Sequence, residues 1–173
     1  MHPPARALVT AKAQAMLRQL RDAHGALMFH QSGGCCDGSS PMCYPLGDFI
    51  VGDRDVLLGV LDLRAESGEV SPDLPDGADT VPVWISGSQF DAWKHTQLII
   101  DMVPGRGSGF SLEGPEGVRF LSRGRVFSDD EVALLLDAPA LRGAEYEEGA
   151  RPPVPADPTV VAVAEEACPV PQR

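Results

Sequence analysis

Gln97-Leu98-Ile99-Ile100-Asp101-Met102-Val103-Pro104-Gly105-Arg106-Gly107-Ser108-Gly109-Phe110-Ser111-Leu112-Glu113-Gly114-Pro115-Glu116-Gly117-Val118-Arg119-Phe120-Leu121 alternates short apolar runs with glycine-bearing turns. The runs at 97–103, 110–112 and 118–121 are too short for buried helices and are bounded by strong turn signals, so they read as strands. A doubly wound sheet would need long helices between its strands, and none is present here. Working outward, residues 5–21 carry Val9, Ala13, Met16, Leu17 and Leu20 at helical spacing, with Arg18 and Arg21 in the last turn and Gly25 as a stop. Strands are expected at 26–30, 56–61 and 81–85. Ser88 is placed to cap a short helix through Asp91, Trp93 and His95. Ser128-Asp129-Asp130-Glu131 is a capping box opening a helix over 132–137. The expected fold is a small, mainly β domain of the α+β class, with an N-terminal helix, a short inserted helix and a C-terminal helix.

A chain of 173 residues, 43% of them hydrophobic, is enough for one domain with its own core. That domain is expected over residues 1–137. Residues 138–173 are rich in Pro, Ala, Glu and Gly without periodicity and read as a disordered acidic tail. The net charge of -11 is concentrated in two places. Residues 62–80 hold six acids against Arg64, and residues 137–173 hold seven acids against three arginines. The rest is nearly neutral, so the acidity reads as solvation of a connection and a tail, and nucleic acid is excluded as the main partner. No apolar run approaches the roughly 20 residues of a membrane span. Residues 1–7 lack the features of a secretory signal, so a cytoplasmic location is expected.

The chemistry-bearing stretch is His30-Gln31-Ser32-Gly33-Gly34-Cys35-Cys36-Asp37-Gly38-Ser39-Ser40-Pro41-Met42-Cys43-Tyr44, which holds three of the four cysteines. In a reducing compartment such a cluster points to metal or thiol chemistry rather than to disulfides. The candidate metal ligands are His30, Cys35, Cys36, Cys43 and His95, although the spacing matches no standard zinc motif. Iron, an iron–sulfur cluster and zinc are all compatible with such donors. The candidate nucleophiles, for a thiol enzyme, are Cys35 and Cys36. Burial is the plain alternative for each cysteine, and a structural role the plain alternative for each histidine. Arg106 and Arg123 are candidates for an anion site, against the alternative of a solvated arginine face shared with Arg119 and Arg125. No serine-centred elbow, zinc-protease helix or phosphate loop is present.

Residues 27–41, then Trp93-Lys94-His95-Thr96-Gln97-Leu98, then residues 103–113 resemble the uncharacterised-domain family numbered 779. Members of that family are often encoded beside aldehyde or alcohol dehydrogenases. The resemblance therefore implies an accessory protein in aldehyde or alcohol oxidation, with such a dehydrogenase as partner. The order of helix, strand, Gly33-Gly34-Cys35 and the later Phe110-x-Leu112-x-Gly114-Pro115 is also similar to the HesB-like A-type iron–sulfur carriers. That likeness implies a small β-rich fold with Cys35 as first ligand, but it puts Leu121 and Arg123 where the carrier's terminal cysteine pair stands. The two other readings of the cysteine loop are a cysteine-nucleophile enzyme acting on a small carbonyl compound and a non-catalytic partner of the dehydrogenase.

Overall fold

The computed structural model describes residues 2–32, 40–106 and 110–167. Two four-stranded mixed sheets pack face to face. The elements are β1 (Ala7–Thr10), α1 (Ala11–His24), β2 (Leu27–Gln31), β3 (Met42–Pro45), β4 (Val56–Asp62), β5 (Thr80–Ile85), α2 (Gly87–Trp93), β6 (Thr96–Pro104), β7 (Val118–Val126), α3 (Asp129–Leu136), α4 (Gly143–Glu147) and β8 (Val160–Val161). The first sheet runs β7-β6-β1-β8 and the second β3-β2-β5-β4. Residues directly paired in an antiparallel ladder share a face, and neighbours along a strand alternate. The registers therefore put Ile100, Phe120 and Ser122 on the inner face of the first sheet, and Phe29, Cys43 and Val83 on the inner face of the second. The core closes between them: Phe29 meets Phe120 edge to face at 5.0 Å, and α1 adds Ala13, Leu17 and Leu20. The fold is α+β and mainly β, as its strand and turn pattern implies.

The N-terminal helix starts later than its apolar spacing predicts. Residues 7–10 form β1 instead, buried along its whole length between β6 and β8. A strand covered on both faces shows no alternation, so an apolar run entering a helix reads as more helix. Thr10 ends the strand and caps α1, its hydroxyl accepting from the Ala13 N–H at 3.4 Å. The inserted helix is capped by Ser86, not Ser88, and ends at Trp93. Residues 110–112 lie in turns rather than in a strand, and lead into a single 3-10 turn that closes at Gly117, whose φ of 74° suits glycine. The capping box is present as expected: the Ser128 hydroxyl accepts from Glu131 N–H at 3.2 Å, and the Glu131 carboxylate from Ser128 N–H at 3.0 Å.

Residues 138–167, expected as a disordered tail, carry α4 and β8. Val160 pairs with Val9 and is 1% exposed. Leu57 N–H donates to Leu141 O at 2.8 Å, and Tyr146 packs edge to face on Trp84 at 5.3 Å. A few apolar anchors among the prolines and acids hold α4 on the outer face of the second sheet and β8 at the edge of the first, and they are too sparse to make a period. The acidic connection after β4 is likewise fastened to α1, through Arg18 to Glu66 and Arg21 to Asp79. Among the described residues no helix is long and apolar enough to cross a membrane.

Candidate functional site

β2 positions the site. Its alternation sends Phe29 and Gln31 inward, where Gln31 accepts from the Ser122 hydroxyl across the sheets at 3.1 Å. Met28 and His30 face outward into a second apolar cluster with Leu57, Val60 and Trp84. His30 is 3% exposed. Its ring lies against Phe49 at 4.2 Å, and Phe49 in turn stacks on Tyr44 at 5.1 Å. Both ring nitrogens are engaged: Nε2 lies 3.0 Å from Asp55 Oδ2, and Nδ1 lies 2.6 Å from Ser32 Oγ.

These contacts settle the tautomer of the neutral ring by elimination. A carboxylate only accepts, so Nε2 carries the proton, and Nδ1 is then the lone pair to which Ser32 O–H donates. Asp55 is itself fixed, because its Oδ2 accepts from Gly52 N–H at 2.9 Å and its own N–H donates to Gly52 O at 3.1 Å. The C-terminal segment clamps this turn: Gly143 N–H donates to Asp55 O at 2.8 Å, and a Cβ at Gly143 would stand 2.1 Å from Gly52 O. Asp55, 25 residues from His30, has no motif to mark it in the sequence. Ser32 is exposed and stands at the start of the cysteine-bearing loop. The arrangement is a carboxylate, an oriented imidazole and a hydroxyl in series, able to take up a proton at Ser32 and stabilise it on the ring.

Cys43 is elsewhere. It pairs with Phe29 in the β2–β3 ladder, so it points into the core while His30 points out. The sheet lies between them, and no one ion can be held by both. Burial, with the charge of Glu113 added, pushes the Cys43 thiol well above its ordinary pKa, so it is a protonated core side chain at neutral pH. Beside it lies a polar pair that sequence reasoning missed as a unit. Cys43 N–H donates to Ser111 Oγ at 2.9 Å, the Ser111 hydroxyl donates to Glu113 Oε2, and Phe120 N–H donates to Glu113 Oε1 at 3.3 Å. Glu113 is 1% exposed and sits on the turn before β7. The only sequence signal was two polar residues flanking Leu112.

Cys35 and Cys36 lie outside the described residues. His95 is exposed in the turn after α2 and lines a separate cavity, away from His30's contacts. Arg106 is exposed on the β6–β7 connection. Arg123 is committed to Asp101, its Nε donating to Oδ2 at 2.7 Å. Burial works against the Asp101 carboxylate, but the bonds from Arg123, Met102 N–H and Thr10, with the charge of Lys12, outweigh it and hold Asp101 below the ordinary carboxylate range. Arg119 also reaches the loop, donating from Nη1 to Ser40 Oγ at 3.0 Å. Among the described residues no three His, Cys, Asp or Glu side chains are grouped to hold a metal. Leu121 is buried and Arg123 is ion-paired with Asp101, so neither is a donor to a cluster.

The family model described as "Domain of unknown function (DUF779)" matches residues 16–126, which span β2, the His30 contacts to Ser32 and Asp55, and the Glu113 turn. The chain belongs to the DUF779 family. No curated protein and no solved structure matches it. The clamp at Gly143 and the strand β8 fall beyond the part of the chain that the DUF779 model covers.

Proposed function

We propose that this DUF779 protein acts through a thiol of the Cys35–Cys36 pair on a small aldehyde, with His30 as the base, in the service of an aldehyde or alcohol dehydrogenase. The observation that carries the reading is the buried His30 ring held by Asp55 at Nε2, with its lone pair aimed at Ser32, three residues before Cys35. An imidazole oriented in this way is the partner a thiol needs to become nucleophilic. The thiol proton passes through the Ser32 hydroxyl to Nδ1, and the imidazolium is stabilised by Asp55. Sulfur then forms a C–S bond to the carbonyl carbon. The C=O π pair moves to oxygen, which takes the proton back and leaves a thiohemiacetal. No oxidant is consumed, and the adduct is a held form of the aldehyde that a dehydrogenase can receive. The dehydrogenase partner rests on the sequence resemblance.

The same carboxylate–histidine pair favours a second reading, because metal-ligating histidines commonly give their other N–H to a carboxylate. Cys35, Cys36 and His30 Nδ1 would then hold iron, an iron–sulfur cluster or zinc, with Ser32 displaced. The two separate in one experiment on the full chain carrying Cys168→Ser. Propionaldehyde is expected to protect Cys35 or Cys36 from a short alkylation pulse, and His30→Gln to abolish the protection. Thiols that alkylate equally with and without aldehyde in the unsubstituted site defeat the proposal. Stoichiometric metal in anaerobically purified protein, lost on changing Cys35 and Cys36 to Ser, puts the second reading in its place.

A further inference from the structure

We propose that the cavity between α2, α3 and residues 139–142 binds an organic carboxylate with an apolar body. It is a second site, independent of the His30 reading. Its volume of about 380 Å³ is that of a small-ligand pocket. The floor is apolar, built from Val56, Phe90, Val132 and Leu135. Among the described residues every ionisable side chain on it is basic: Arg6, Lys94, His95 and Arg142. Among the described residues no acid lines it, in a chain of 25 acids and 14 Lys and Arg. A cavity of one sign within a protein of the other sign focuses the field for an anion, and its apolar walls strengthen the attraction.

The basic groups have capacity for a ligand. Among the described residues the Lys94 and His95 side chains make no hydrogen bond or ion pair. Arg6 donates from Nη2 to Leu135 O at 3.2 Å and Ala138 O at 2.8 Å, tying it to the C-terminal end of α3. Burial without a carboxylate partner lowers the Arg6 pKa, the condition an incoming anion relieves. One guanidinium tied to the end of α3, with Lys94 and His95 on the same lining, suits a single compact head rather than a polyphosphate. The four apolar side chains suit a hydrocarbon or aryl body. The pocket is held open from both sides: Val56 begins β4, where it bridges to Arg142, and Gly87 packs α2 so tightly on Arg54 that a Cβ there would lie 2.8 Å from Arg54 O.

The test is calorimetric titration of the full chain with octanoate, octyl phosphate, octanol and octylamine. Octanoate is expected to bind saturably, octanol roughly ten- to a hundredfold more weakly, and octylamine not at all, the difference expected for one charge-assisted contact. Lys94→Glu, an exposed position, is expected to weaken octanoate by a similar factor with unchanged thermal unfolding, and Val132→Trp to remove binding by filling the floor. Raising the salt concentration should weaken octanoate and leave octanol unchanged. Octanol binding as tightly as octanoate, or octanoate affinity unmoved by Lys94→Glu, overturns the anion site. Tighter binding of octyl phosphate than of octanoate overturns the carboxylate assignment.

Discussion

His30 and Cys43 lie one cross-strand position apart in the same two-stranded ladder, and the pleat gives them opposite fates. His30 faces outward against Phe49, bonded to Asp55 on one side and to the exposed Ser32 on the other. Cys43 faces the core, where Ser111 and Glu113 satisfy the backbone around it and the thiol stays protonated. Two residue types that look like one donor set in the sequence are separated by the thickness of a sheet. Proximity along a chain becomes proximity of side chains only when their positions have the right parity.

The largest effect is expected from breaking the outer site through its clamp. Gly143→Ala places a carbon within 2.1 Å of Gly52 O, so backbone must move. We expect a loss of about 3 kcal/mol in chemical denaturation, the scale of severe overpacking. Breaking the inner side comes next: Glu113→Ala leaves the Ser111 hydroxyl and the Phe120 N–H without their acceptor. It should cost about 2 kcal/mol and leave the pH dependence of thiol alkylation at Cys35 and Cys36 untouched. Cys43→Ala sharpens the comparison further, with a loss of about 1 kcal/mol for the small cavity and no change in aldehyde protection. A reduction in protection would place Cys43 back in the working site.

An effect as small as that of Cys43→Ala lies at the start of α3. The bonds from Arg125 hold the Glu131 carboxylate at a pKa of about 2, against an ordinary 4.5. A depressed carboxylate contributes stability above its ordinary pKa, and that contribution is lost as pH falls through the folded value. Glu131→Gln should therefore cost about 1 kcal/mol at neutral pH. The gap between its melting temperature and that of the unsubstituted protein should close as pH falls from 4.5 toward 2.

Much of the fold was legible because its signals are local. The glycine turns, the Ser128 capping box and the strands at 56–61 and 81–85 need only neighbouring residues to be read. β1 was not legible, since a strand buried on both faces shows no period, and neither was β8, two valines in a proline-rich stretch. At the site, His30 was legible from its place beside the cysteines. Asp55, Ser111 and Glu113 were not, because each gains its meaning from a partner 25, 68 or 7 residues away. The parity that removes Cys43 from the donor set required the strand register.

The most direct test is residue-resolved alkylation of the folded protein across pH, read by peptide mass spectrometry with Cys168→Ser as background. Cys43 is expected to remain unmodified until the protein unfolds. Cys35 or Cys36 is expected to react with a midpoint well below the unperturbed thiol value of about 8.5, and His30→Gln to return that midpoint to it. A midpoint near 8.5 in the protein with His30 intact, or modification of Cys43 in the native state, would contradict the account.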